Sequence, residues 1–224
     1  MAVIKSQPVL ILASNSPRRR QLLSLEGWAF HVIPGMVGEH PLPDEPPLDY
    51  VLRLAREKAL DVGKIAPPES TVIAADTAVV AGGQILGKPT DPAHAASMLH
   101  YLRGGSHQVI TGLAVLEVAS MVLHIDHCIT KIMMRAYSLE EIQTYIKTGD
   151  PLDKAGAYAI QHRSFDPVER IEGCYANVVG LPLCVLTGLL DQCGVPPVRN
   201  IAASCQPDQG KPCRIAGLIQ PDTP

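Results

Sequence analysis

The sequence predicts an α/β protein. Short apolar runs bounded by turn residues alternate with segments of helical periodicity. Of 224 residues, 46% are hydrophobic and 18% charged, with mean hydropathy +0.13, enough to bury a sizeable core. The length suits one large domain with a cleft. Its expected extent is residues 1–194, because from 195 to 224 the composition turns to Pro, Gln, Asp and Ser and reads as a flexible tail.

The elements follow in order. Val9, Leu10, Ile11, Leu12 and Ala13 form a continuous apolar run, expected as a strand buried on both faces. A helix should start directly after it, with Ser16 as N-cap, Pro17 in the first position, leucines at 22, 23 and 25 on one side, and Gly27 as the stop. Residues 34–47 are Pro-rich and read as an extended loop, and residues 49–64 as a helix whose apolar side carries Lys58. Residues 71–80 form an apolar strand interrupted by Asp76 and Thr77. A Gly82-Gly83 turn and a short strand at 84–86 follow. Residues 92–103 read as a helix, 108–118 and 122–134 as an antiparallel hairpin, 138–147 as a helix opened by a Ser138/Glu141 capping box, and 182–193 as the last helix.

Composition excludes several functions. A net charge of −3 and a pI near 6.2 do not suit a stable nucleic-acid partner, whose phosphates many Lys and Arg would have to neutralise. Any anion site must be local. The six cysteines contain no C-x-x-C pair, and no signal-like start or membrane-length apolar run is present, so reduced thiols, a cytoplasmic location and no membrane contact are expected.

Three features carry chemistry. Ser14, Ser16, Arg18 and Arg19 put hydroxyls, guanidinium groups and the open amides of a helix start around one point, a natural phosphate site. Positive charge there opposes the helix dipole, a conflict that a bound anion relieves; the plainer reading is a capped helix with a solvated basic turn. Asp76 inside an apolar strand needs a partner, as a metal ligand, as a general base, or as a strand-end carboxylate bonded to loop amides. Lys58 is either its neighbour or a snorkelling lysine.

Two patterns mislead. Residues 82–88 fit G-x-x-x-x-G-K, but Pro89 stands where a P-loop needs Ser or Thr, so the segment reads as a hairpin delivering Lys88. His124 and His127, three apart in a strand, point to opposite faces and should not converge on a metal. The cysteines read as ordinary core or strand residues.

The run Ser14-Asn15-Ser16-Pro17-Arg18-Arg19, then Arg53-Leu54-Ala55-Arg56-Glu57-Lys58-Ala59, Ala74-Ala75-Asp76-Thr77, Leu86-Gly87-Lys88-Pro89 and Thr111-Gly112 resembles the Maf family of nucleoside triphosphate pyrophosphatases. The later segments, residues 153–161 and 177–182, look like the branch acting on dTTP and UTP. The resemblance spans residues 10–186. It implies an elongated mixed twisted sheet flanked by helices, related to inosine-triphosphatase-like folds, with two lobes, a deep central cleft and a homodimer. It also implies that Ser14, Arg18, Arg19, Lys58 and Lys88 hold the triphosphate substrate, that Glu39 and Asp76 serve a divalent metal, Mg2+ or Mn2+, and that Thr77 and Gln161 help choose the base. Asp76 and Lys88 are the expected catalytic pair, acting in water attack on the α-phosphorus with pyrophosphate as leaving group. The alternatives are a 7-methyl-GTP or broad pyrimidine pyrophosphatase, and a nucleotide-binding cell-division regulator with little turnover.

Overall fold

A computed structural model describes residues 9–199. One seven-stranded mixed sheet organises them, in the order β2-β1-β3-β5-β6-β7, with β4 on β3. The strands are β1 (Val9–Leu12), β2 (Phe30–Val32), β3 (Ser70–Ala81), β4 (Gln84–Leu86), β5 (Ser106–Glu117), β6 (Val122–Met134) and β7 (Val168–Glu172). The helices are α1 (Pro17–Leu25), α2 (Pro47–Gly63), α3 (Pro92–Leu102), α4 (Leu139–Lys147), α5 (Tyr175–Val179) and α6 (Leu183–Gln192). The α/β expectation holds. Three small elements escaped the sequence reading, β2, β7 and α5, because runs of three to five residues have too few positions to display a period.

Local signals set the helix starts. Ser16 caps α1 by accepting from the Arg19 amide, with Pro17 in the first turn. Ser138 and Glu141 form the expected capping box on α4. Helix α2 buries Val51, Leu54, Ala55, Lys58, Ala59 and Val62 against the sheet, so its apolar stripe includes one lysine.

Alternation along β3 sorts the core. Val72 and Ala74 pack beneath Ala55 and Val62 of α2, and Ala78 and Val80 beneath Val51 and Leu54. Ile73 and Ala75 face the other way, into a core built by α1 and α6. Val79 joins a fourth cluster, with α3, α4, Tyr137 and Phe165. By this alternation Asp76 lies on the α2 face and Thr77 on the opposite one.

The pairing of β3 places the site. One edge pairs with β5 along residues 71–80. On the other edge β1 covers residues 70–73 in parallel and β4 covers residues 79–81 antiparallel. Between them, on this edge, residues 74–78 have no strand partner among the described residues, and a cavity opens at that gap beyond the carboxyl end of β1. Ligand crevices of open α/β sheets lie at such places.

Residues 195–199 begin the segment expected as a tail. Here Val195 is buried in the α1–α6 core, Trp28 Nε1 donates to the Pro196 carbonyl at 3.0 Å, and the Val198 and Arg199 amides donate to the Glu26 carbonyl. The rest of that segment, from 200 to 224, lies outside the described residues. No helix among the described residues is long and apolar enough to cross a membrane.

Candidate active site

A cavity of about 500 Å³ gathers every site residue expected from the sequence: Ser14, Arg18, Arg19, Glu39, Lys58, Asp76, Thr77, Lys88 and Gln161. At its floor Lys58 Nζ bonds Asp76 Oδ1 at 2.6 Å and Glu39 Oε1 at 2.5 Å. Lys58 and Asp76 are buried, with side chains 7% and 9% exposed, whereas Glu39 is 53% exposed. The lysine on the apolar face of α2 is therefore the partner of Asp76, not a snorkelling side chain.

A glycine sets this contact. Gly112 of β5 sits opposite Asp76 in the ladder, and a Cβ there would lie 2.6 Å from the Val51 carbonyl oxygen. Any larger residue would push α2 off the sheet. Lys58, two turns beyond Val51 on the same face, would then lose its reach to Asp76.

Glu39 comes from the Pro-rich loop, which α2 holds by side chains. Arg53 donates to both Glu45 oxygens, at 2.6 and 2.8 Å, and to the His40 carbonyl, while Tyr50 Oη donates to the Glu39 carbonyl. The Arg53 guanidinium holds the Glu45 carboxyl down at about 2.

Electrostatics separate the two carboxylates at the floor. Burial pushes the Asp76 carboxyl above the usual carboxylate range, against the opposing pull of Lys58 and Arg19. Burial also acts to raise Glu39, but Lys58, with Lys88 and Arg19 beyond it, holds that carboxyl below its ordinary value.

Arg19 has a use that the sequence did not display. Its Nε donates to the Gly180 carbonyl at 2.8 Å, Nη1 to Ser14 Oγ at 3.2 Å and Nη2 to Thr77 Oγ1 at 3.1 Å. Thr77 in turn shares a hydrogen bond of 2.9 Å with Thr111, whose hydroxyl donates to the Asn177 carbonyl. The fully buried Asn177 amide donates to Val109 O and Thr130 Oγ1, both at 2.9 Å. One network thus ties α1, the sheet and the α5–α6 corner, where Gly180 adopts φ 116°. The sequence offered one hint, a polar Asn in an otherwise apolar segment.

The far wall carries Tyr158, Ala159 and Gln161. The buried Gln161 Nε2 has no hydrogen-bond partner among the described residues. Such an orphaned donor is costly unless a ligand satisfies it. Lys88 is exposed at the rim, and its hairpin is anchored where the Gly156 amide donates to the Gly87 carbonyl.

Behind that wall His107 Nε2 lies 2.8 Å from Tyr158 Oη, and burial pulls the imidazole down to about 4 from 6.5. The folded state holds the ring neutral, while the unfolded chain takes up a proton below 6.5. Stability from this group is therefore complete above pH 6.5 and is lost as pH falls toward 4. Between pH 7 and pH 4.5 the expected loss is about 2–3 kcal/mol. Urea unfolding at the two pH values should show it in the wild type and a flatter dependence in His107→Gln.

Paired carboxylates under a ring of cations at a helix start define an α/β protein that handles phosphorylated, polyanionic ligands. The chain belongs to the Maf family: the family model for Maf-like protein matches residues 9–193. A protein from Anaeromyxobacter dehalogenans (strain 2CP-C) named dTTP/UTP pyrophosphatase is 48% identical over 191 residues, covering 84% of this chain and 96% of its own. One of the same name from Geobacter sulfurreducens is 48% identical over 176 residues, covering 78% and 91%. A third, from Dehalococcoides mccartyi, is 43% identical over 190 residues, covering 85% and 84%. A solved dITP/XTP pyrophosphatase from Mycobacterium abscessus overlaps 57% of this chain and 74% of that one, with a TM-score of 0.36 and 17% identity.

Proposed function

We propose that this protein hydrolyses nucleoside triphosphates, dTTP and UTP by preference, to the monophosphate and pyrophosphate. The observation that carries the reading is the Glu39–Lys58–Asp76 group on the floor of a cation-lined cavity, in a chain whose curated relatives bear the name dTTP/UTP pyrophosphatase.

The residues fit a divalent metal. Two carboxylates converge on a single ammonium, so their oxygens already serve one positive centre, and hard oxygen donors are what Mg2+ and Mn2+ take. Glu39 and Asp76 would hold the ion. When bound, it supplies charge neutralisation on the phosphates and a more acidic water.

The chain's own groups do the rest. The α1 amides with Ser14, Arg18 and Lys88 bind phosphate oxygens and orient the triphosphate for in-line attack at the α-phosphorus. Arg19, with three protein partners already, braces Ser14 and Thr77 and contributes its charge at close range. Asp76 accepts the proton of the attacking water. Lys58 keeps the two carboxylates together. Lys88, exposed at the cavity rim, meets charge growing on the leaving pyrophosphate. The family resemblance adds a cytoplasmic homodimer, which sedimentation of the purified chain tests.

Arg18→Ala or Lys88→Ala should lower kcat/KM by roughly 10- to 1,000-fold, the scale of one preorganised electrostatic contact. Wild-type efficiency in both variants would remove the phosphate clamp from this account.

Base choice is assigned to Gln161, whose unpartnered Nε2 suits a carbonyl of thymine or uracil and whose Oε1 suits N3–H. Cytosine lacks that proton. Thr77 acts by fixing the opposite wall through Arg19 and Thr111. Gln161→Ala should lose efficiency on dTTP and UTP and narrow their advantage over CTP. Steady-state efficiencies on dTTP, UTP, CTP and 7-methyl-GTP, wild type against variant at one metal concentration, test both the function and this residue. An unchanged preference in the variant, or a wild type that favours 7-methyl-GTP, overturns the assignment.

A further inference from the structure

We propose that Glu117, His124 and Cys193 form a second metal site, for a zinc-class ion, that clips the end of α6 to the β5–β6 hairpin. One ligand atom from each lies within 4.8 Å of the other two. None of the three lines the catalytic cavity.

Topology explains the convergence. In the hairpin His124 pairs with Val115, so it shares a sheet face with Val115 and with Glu117 two residues on. Val115 belongs to the core that α6 covers, and Cys193 is the C-cap of α6. The three donors thus come from β5, β6 and α6. His127 faces away beside Asp126, so the histidine pair of the sequence does not converge, as strand geometry requires. The site instead uses one of those histidines with residues 7 before and 69 after it, which no local motif displays.

The local chemistry favours a cation. His124 Nε2 stands 2.8 Å from Glu117 Oε1, and Nδ1 stands 3.2 Å from Gln192 Oε1. With Nδ1–H donating to Gln192, the Nε2 lone pair faces a carboxylate oxygen, two acceptors that need a proton or a metal between them. An outer partner that fixes the tautomer of a ligating histidine is the usual support of such a ligand. Cys193 Sγ donates to the Leu189 carbonyl at 3.3 Å, so on metal binding its proton leaves to solvent as the metal–sulfur bond forms. Tetrahedral bonds of about 2.0–2.3 Å place ligand atoms about 3.3–3.8 Å apart, between the 2.8 Å of His124 Nε2 to Glu117 Oε1 and the 4.8 Å limit of the present set. His124 and Glu117 side chains are 19% and 36% exposed, which leaves solvent for a fourth position. A sulfur, nitrogen and oxygen set selects zinc over magnesium, whereas the Glu39/Asp76 pair offers oxygen alone.

The test titrates Co2+ into the full-length, reduced protein with excess Mg2+ present, then measures Zn2+ affinity by competition and melting temperature with and without Zn2+. The expected result is a thiolate-to-cobalt charge-transfer band saturating at one equivalent and a rise in melting temperature with Zn2+. Cys193→Ser should abolish the band while magnesium-supported turnover stays at the wild-type level. His124→Ala should lower Zn2+ affinity by about 100-fold or more, and Gln192→Ala by about 10-fold. Circular dichroism in metal-free buffer checks that the variants fold. No band in the wild type, a band retained in Cys193→Ser, or unchanged Zn2+ affinity in a folded His124→Ala each overturns the site and leaves His124 and Glu117 as a simple hydrogen-bonded pair.

Discussion

Asp76→Asn should lower turnover by about 10²- to 10⁴-fold, the range for losing a positioned general base, while the protein melts no earlier than the wild type in metal-free buffer. The two halves of this result have one cause. Burial raises the proton affinity of Asp76, so the folded state takes up a proton where the unfolded chain does not, and the wild type loses stability as pH rises from 3.8 through that raised value. At neutral pH the ionised carboxylate is held against that penalty, and the amide is not. Lys58 keeps Glu39 as its charged partner and can still donate to the amide oxygen. Turnover at saturating magnesium, set against melting temperature without metal, separates the readings: an active but destabilised variant would make Asp76 a structural carboxylate.

Lys58→Met should do the reverse to stability. Methionine fills most of the space but leaves the buried Asp76 charge without its ammonium, with Arg19 as the nearest remaining compensation. Removing one partner of a buried pair costs about 3–5 kcal/mol, and Arg19 places the expected loss near the lower end, about 3 kcal/mol. Activity should fall as well, since Glu39 loses the group that draws it to the floor. The double variant Lys58→Met with Asp76→Asn should recover most of the stability and none of the activity, because no uncompensated charge remains. Urea unfolding of the two single variants and the double at pH 7 closes the cycle. Equal losses in Lys58→Met and in the double variant would mean that Lys58 acts through packing and not through charge.

Much of this protein was legible along the chain wherever a signal is local. The α1 cap, the α4 capping box and the long β3, β5 and β6 strands span enough residues to show their period or their capping pattern, and their bounds fall within two residues of expectation. The residues of the cavity were named because their pattern resembles one family. The α5 helix was missed because five residues hold barely more than one turn. Arg19 read as a phosphate ligand from its place in the α1 start, but nothing local showed that three of its five N–H donors go to Gly180, Ser14 and Thr77, two of which lie 161 and 58 residues away.

By itself, then, the sequence determined the α/β class, the order of the longer elements, the anion-ready start of α1 and a carboxylate that had to find a partner inside β3. Each depends on neighbours within a few residues, where propensity, periodicity and side-chain polarity act directly. Only the tertiary structure decided that Lys58 is the partner, that Arg53 fixes the loop bearing Glu39, and that Glu117, His124 and Cys193 meet at the far end of the sheet. Those contacts depend on strand register and on how closely α2 approaches Gly112. Both are set by packing between segments distant in sequence, for which no local pattern codes.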